Sequence, residues 1–202
     1  MRGLYSVEDI KQDILKKDID YIYNEYLLGS YVWYFDEKFS SECYQKYDRF
    51  KRYVSKKLEV HFNDVAIIGS AKIGFSLNPS KNFKLFHSKS DIDIIVVSQS
   101  LYYAFWNEYL KEHNSITGIK NGKYSYVCKC VFKKFITLDG FDTSNDFYLS
   151  WEIKTKGFEK DLQLMFQIDN DIHYRIFESW DAVKLYYTKG ILENKRKLEG
   201  EL

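Results

Sequence analysis

Two aspartates separated by one residue, Asp91 and Asp93, are the side chains of this sequence best placed to do chemistry. Asp91 directly precedes the run 92–98 (IDIIVVS), and Asp93 is its second residue. The β-branched residues of this run predict a buried strand. Side chains alternate along a strand, so the two carboxylates share one face, roughly 6–7 Å apart. A divalent cation between them would remove their repulsion, and oxygen ligands favour Mg²⁺ or Mn²⁺. An Asp-x-Asp pair alone is weak evidence, because such pairs usually face solvent at a strand end.

A glycine–serine turn precedes this acidic strand. Gly69 ends the apolar run 64–69 (DVAIIG), a second predicted strand, and Ser70 follows it. Glycine lets the backbone approach a phosphate closely, and the amides after it can form an anion-binding concavity. Ser70 adds a hydroxyl and Lys72 a positive charge. The structural alternative is a plain β-turn, but its position before the two acids favours a phosphate and metal site.

The segments Gly-Ser-Ala-Lys-Ile-Gly-Phe-Ser-Leu (69–77) and Lys-Ser-Asp-Ile-Asp-Ile (89–94) resemble the signature of the DNA polymerase β-like nucleotidyltransferase superfamily. They look like small bacterial nucleotidyltransferases found near phage-defence genes. The resemblance covers residues 65–98 and, more weakly, 172–191. It implies that a hydroxyl attacks the α-phosphate, that pyrophosphate leaves, and that Asp91 and Asp93 are catalytic and bind two metal ions. The nucleotide-binding residues expected from it are Gly69, Ser70, Lys72 and Ser90.

The sequence departs from the superfamily pattern in two ways. Gly69 and Asp91 are 22 positions apart, a longer link than usual. The third carboxylate, which a later strand normally supplies, is also hard to place, because residues 172–177 (IHYRIF) offer His173 and Arg175 instead of an acid. We favour Asp171 as the third catalytic acid. The other acids available are Asp139, Asp169 and Glu178.

Composition excludes several classes of protein. The 202 residues are 45% hydrophobic and 29% charged, an ordinary globular balance, and the net charge of +1 gives no general attraction to polyanions. The three cysteines form no CxxC pair, which suits a reducing cytoplasm and argues against structural zinc. No apolar run reaches the roughly 18 residues of a membrane span. We expect a cytoplasmic protein without membrane contact.

Hydrophobic periodicity and the order of elements predict an α/β (α+β) fold, and the resemblance implies a nucleotidyltransferase-type mixed β-sheet flanked by helices. An N-terminal helical segment (1–60) is expected to pack on a nucleotidyltransferase-like domain (61–202). Residues 124–136 fit either a strand or a helix, and residues 147–156 are left open. Helices are predicted at 7–28, 42–60, 101–113 and 179–198, a long loop at 70–90, and paired strands at 162–168 and 172–177.

The leading hypothesis is a Mg²⁺- or Mn²⁺-dependent enzyme that moves a nucleoside monophosphate from a (d)NTP onto a hydroxyl. The resemblance extends this to an oligonucleotide or nucleotide signal in anti-phage defence, with an effector protein encoded nearby. The acceptor hydroxyl belongs to nucleic acid or to another molecule. The alternative is a weak or inactive module that binds nucleotide or a partner protein, which the missing third acid favours. A structural domain with a fortuitous motif is the third option.

Overall fold

A four-stranded mixed sheet with helices on both faces organises the chain in a computed structural model that describes residues 4–115, 118–119 and 122–200. The strands are β1 (Val65–Ile68), β2 (Ile92–Val97), β3 (Phe135–Ile136) and β4 (Ile172–Phe177). The helices are α1 (Val7–Lys16), α2 (Ile19–Ile22), α3 (Trp33–Phe39), α4 (Cys43–Leu58), α5 (Ser70–Ile73), α6 (Gln99–His113), α7 (Tyr124–Phe132), α8 (Asp146–Phe166) and α9 (Trp180–Leu198). A π-helical segment spans Tyr23–Leu28, and short 3₁₀ turns span Ser40–Glu42, Phe62–Asp64 and Pro79–Lys81.

The strand order is β1-β2-β4-β3. Strand β2 pairs antiparallel with β1 and parallel with β4, and β4 pairs antiparallel with β3. The registers align Ile68 with Asp93 on one side of β2, and Asp93 with His173 on the other. Asp93 therefore lies where the antiparallel and parallel halves of the sheet meet.

Each face of the sheet is covered by its own hydrophobic core. Ile92, Ile94 and Val96 of β2 pack into one core with residues of α3, α4, α6 and α8. Ile95 and Val97 pack into the other with residues of α1, α2 and α9. Alternation along β2 places Asp93 on this second face. The helices of the first sixty residues contribute to both cores.

Two predicted helix starts are confirmed by their caps. Ser6 accepts a hydrogen bond from the backbone N–H of Asp9 in a capping box, and Ser179 accepts one from the N–H of Ala182. The helix expected over 7–28 is interrupted, because the backbone is extended at Lys17 and Asp18.

The predicted strand at 162–168 is wrong, because helix α8 continues through Phe166. Leu162 and Phe166 are buried one helical turn apart, whereas Leu164 and Met165 are 73% and 47% exposed. The exposed Leu164 between them makes the apolar residues of the sequence alternate as in a strand. The Asp169–Asp171 triplet therefore joins a helix to β4. The loop at 70–90 contains α5, the open region at 147–156 lies within α8, and residues 124–136 form α7 followed by β3. No helix in the described ranges is long and apolar enough to cross a membrane.

Candidate functional site

Gly69 is held against the carboxylate of Asp93. Its backbone has φ 74° and ψ −148°, a conformation open essentially to glycine alone. A Cβ added to Gly69 would lie 2.9 Å from Oδ2 of Asp93. The preceding residue, Ile68, is the register partner of Asp93 in the antiparallel β1–β2 pair. The structure thus brings together the glycine turn and one of the two acids.

Ser70 begins helix α5 directly after this turn. The Ser70 carbonyl accepts a hydrogen bond of 2.9 Å from the N–H of Gly74, and the Gly69 carbonyl accepts one of 3.1 Å from the N–H of Lys72. The Ser70 hydroxyl has no hydrogen-bond partner within the described parts of the chain. It is half-buried and available to a ligand.

Asp91 and Asp93 each face a basic side chain on β4. Nε and Nη2 of Arg175 donate to Oδ1 of Asp93 at 3.2 and 3.1 Å. Nδ1 of His173 lies 3.9 Å from Oδ2 of Asp91. The His173 contact and the register of β2 with β4 put both acids on one face of the sheet. His173 and Arg175 therefore occupy this face where the superfamily pattern leads one to expect an acid.

The guanidinium of Arg175 places a permanent positive charge beside Asp93. Burial lowers the pKa of Arg175, but the neighbouring Tyr187, Asp93 and Tyr186 together raise it above its usual value. The Tyr186 hydroxyl also accepts a hydrogen bond of 3.4 Å from Nη1. Arg175 stays cationic and occupies Oδ1 of Asp93, while Oδ2 faces Gly69. The sequence marked Arg175 as a departure, but it gave no sign of the ion pair.

Asp171 directly precedes β4, and its carbonyl accepts a hydrogen bond of 2.8 Å from the N–H of Ile92. Its side chain lines a cavity of 380 Å³ together with His173 and Arg175, between β4 and helix α8. Within the described ranges, no three His, Cys, Asp or Glu side chains gather into a group that could hold a metal. The role of Asp171 as third catalytic acid remains a prediction.

Ser90 stabilises the loop before Asp91. Its hydroxyl accepts a hydrogen bond of 3.1 Å from the backbone N–H of His87. The side-chain amide of Asn170 donates to the carbonyls of Ser88 and Ser90, at 3.2 and 2.9 Å. The sequence analysis did not single out Asn170. Asn170 ties the start of β2 to the start of β4. It therefore positions both strands beside the charged cluster, which consists of Asp91, Asp93, His173 and Arg175.

The role of Lys72 at a nucleotide phosphate stays a prediction, and the structure shows what its ammonium contacts. Its side chain is only 2% exposed, and its Nζ donates to the backbone carbonyls of Gly29 and Tyr31. Burial, with the nearby charge of Lys51, lowers the pKa of Lys72 to about 7. Lys72 therefore ties α5 to the end of the π-helical segment.

The donor set fits one hard divalent cation better than two. Mg²⁺ is usually bound by one or two carboxylates together with substrate phosphates and water. Asp91 is half-exposed, and Oδ2 of Asp93 is not engaged by Arg175. A second ion would have to share Asp93 with the guanidinium of Arg175, and like charges oppose this arrangement.

Comparisons with known proteins return no relative. No family model, curated protein or solved structure matches the chain. The features that bear on function are therefore the segment 65–98 and the contacts of Asp93 with Gly69 and Arg175.

Proposed function

We propose that this chain is a metal-dependent nucleotidyltransferase that moves a nucleoside monophosphate from a (d)NTP onto a hydroxyl. The observation that carries the proposal is the contact between Gly69 and Asp93. A glycine-only conformation at the end of one strand, close to an acid of the next, supports the pairing of a phosphate-binding turn with a metal-binding carboxylate. The four-stranded mixed sheet is compatible with a nucleotidyltransferase-type fold.

The residues have separate roles in this proposal. The turn at Gly69 and the free hydroxyl of Ser70 bind phosphate oxygens, because they combine close backbone approach with a hydrogen-bonding group. Asp91 and Asp93 hold Mg²⁺ or Mn²⁺, which neutralises triphosphate charge when bound. In the reaction, the acceptor oxygen bonds to the α-phosphorus, its proton passes to water, and the bond between the α-phosphorus and the pyrophosphate oxygen breaks. A nucleotide signal that acts on an effector protein in anti-phage defence is the biological extension of this proposal.

A second candidate is a domain of the same type that binds nucleotide without transferring it. The observation that favours it is the ion pair between Arg175 and Asp93 on a face where no third acid joins them within the described residues. Arg175 would then serve as a fixed cation for the phosphates. Asp93 would orient Arg175 instead of holding metal.

A transfer assay separates the two candidates. The wild type is incubated with each labelled (d)NTP and Mg²⁺ or Mn²⁺, beside the Asp91→Ala, Asp93→Ala double variant. Asp20→Ala serves as a matched control, since Asp20 is an exposed acid of helix α2 that pairs at 2.8 Å with Lys184. Pyrophosphate release by the wild type and the control, but not by the double variant, supports transfer.

The other outcomes are equally informative. Nucleotide binding measured by calorimetry without any release would favour the binding module. Equal release by the wild type and the double variant would mean that neither Asp91 nor Asp93 is catalytic.

A further inference from the structure

A second cavity, of 280 Å³, lies beside β1, and two lysines reach it. Lys72 comes from α5 and Lys51 from α4, while the Asn63 and Asp48 side chains are exposed. Leu27 and Leu28, at the end of the π-helical segment, and Trp180 line the apolar side of the cavity. This cavity shares no lining residue with the one beside β4, and the proposed transfer reaction does not use it.

Lys72 is a buried cation without a carboxylate partner. Its Nζ is hydrogen-bonded to two backbone carbonyls, but no Asp or Glu of the described chain lies within ion-pair distance of it. A buried charge is costly unless it is paired, and carbonyl dipoles compensate it only in part. Asp48 lines the same cavity, but among the described residues no ion pair joins it to Lys72, so Lys72 has no directly bonded counter-charge.

Lys51 adds a second positive charge to the same space. Burial lowers the pKa of Lys51, whereas Asp48 and Asp64 act in the opposite direction. Lys51 in turn helps to lower the pKa of Lys72, so the two ammonium groups repel each other. The ammonium of Lys51 also lies over the ring of Phe62, 4.3 Å from its centroid, which holds the side chain near the cavity.

We propose that this cavity binds a small phosphate-type anion, either free phosphate or the phosphate of a nucleotide. An anion between Lys51 and Lys72 removes their repulsion and supplies the missing counter-charge. Two lysine charges match a dianion better than a single carboxylate. Asn63 also lines the cavity, and its side-chain amide carries N–H donors of the kind that bind an anion.

A purely structural role for Lys72 does not explain the whole arrangement. Capping the carbonyls of Gly29 and Tyr31 accounts for the position of Lys72, because a cation is favourable at the end of a helix. It does not account for Lys51, which brings a like charge into the same cavity. A ligand that needs both lysines accounts for both positions.

Calorimetric titration of the full chain with inorganic phosphate, in EDTA, tests the proposal. We expect Lys51→Gln to weaken binding about tenfold or more, and Lys51→Arg to retain it, because only the charge-neutral variant loses a charge-assisted contact. Lys56→Gln is the matched control, since Lys56 is an exposed lysine of the same helix that does not line the cavity. No binding by the wild type, or equal binding by Lys51→Gln and Lys56→Gln, would overturn the proposal.

Proton uptake gives a second measurement that does not depend on Lys51 variants. The charged groups that share the cavity with Lys72 are Lys51 and Asp48 of α4, and its Nζ lies 6.0 Å from the centroid of the Tyr47 ring. A bound anion raises the pKa of Lys72 from about 7, so binding at pH 7.5 must take up protons. Titration in buffers of different ionisation enthalpy measures this uptake, and its absence would contradict the involvement of Lys72.

The source of the phosphate and the independence from the transfer site are tested in the same titration. Tighter binding of AMP than of inorganic phosphate would identify a nucleotide as the ligand, and the reverse would identify free phosphate. The Asp91→Ala, Asp93→Ala variant should bind phosphate like the wild type. Loss of phosphate binding in that variant would place the anion at the Gly69 turn and overturn the site at Lys51.

Discussion

Asp93 and Arg175 form an ion pair diagonally across two parallel strands, 82 residues apart in sequence, with Oδ1 of Asp93 accepting two guanidinium N–H bonds at 3.1 and 3.2 Å. Oδ2 of the same carboxylate lies beside Gly69 on the opposite neighbouring strand. One side chain thus connects the glycine turn to a fixed cation. Asp93 takes part in both proposed functions: it is a metal ligand if the protein transfers nucleotides, and it orients Arg175 if the protein only binds them.

Replacing Gly69 with alanine should destabilise the protein by about 1–3 kcal/mol and abolish nucleotide binding, because a Cβ would be strained at φ 74° and would press on Asp93. Chemical denaturation and nucleotide titration measure the two effects. Gly157→Ala is the matched control: Gly157 lies within α8, nothing is near its missing Cβ, and alanine should stabilise that helix by roughly 0.5–1 kcal/mol. Equal stability changes in the two variants would show that the Gly69 turn is unstrained.

Removing the cation from the ion pair should leave the carboxylate of Asp93 unpaired. Arg175→Met is expected to cost about 1–3 kcal/mol in the free energy of unfolding, and Arg175→Lys less, because lysine keeps the charge but not the two-pronged contact. A double-mutant cycle with Asp93→Asn, followed by urea unfolding, isolates the pair. Additive effects of the two single changes would show that the contact contributes no coupling energy.

A third acid can be introduced where the sheet register predicts it. His173 is the register partner of Asp93, so His173→Asp places three carboxylates on one face. We expect Mn²⁺ to raise the melting temperature of this variant by at least about 2 °C more than that of the wild type, equivalent to about 1 kcal/mol in a protein of this size. His113→Asp, at the end of α6, is the control. A metal-dependent shift no larger than that of the control would argue against a cation site here.

The pH dependence of stability should report on Lys72. Its pKa is about 7 in the folded protein and near its usual value when unfolded, so the unfolded chain binds more protons between these values. The free energy of unfolding should therefore rise from pH 7 to 8.5, with a slope of up to about 1.4 kcal/mol per pH unit from this group. Urea unfolding of Lys72→Met should show a shallower slope, and Lys56→Met an unchanged one. Parallel slopes in all three proteins would contradict the lowered pKa.

The strands that carry the charged cluster follow from local sequence, but their partners do not. β1 and β2 were predicted because their apolar runs are short, β-branched and bounded by polar residues. The starts of the helices after Ser6 and Ser179 are local in the same way, since capping depends on neighbours three residues away. The contact of Arg175 with Asp93 depends on the register of two strands distant in sequence, which no local pattern encodes.

Two features of the fold escaped prediction for one physical reason. Lys72 follows the glycine turn, but its four-residue helix directs the side chain towards Gly29 and Tyr31, a contact that no local pattern indicated. Residues 162–168 were expected to be a strand because exposed Leu164 and Met165 blurred the helical pattern. In both segments the direction of a side chain is set by packing against distant residues.

The parallel pairing of β2 with β4 also bears on how the protein folds. The chain between these strands forms α6, α7, β3 and α8, so a long loop must close before Arg175 can meet Asp93. Closing such a loop is entropically unfavourable, and contacts between distant residues slow folding. The turn at Gly69 can form early with its antiparallel neighbour, whereas the charged cluster is completed late, when β4 docks.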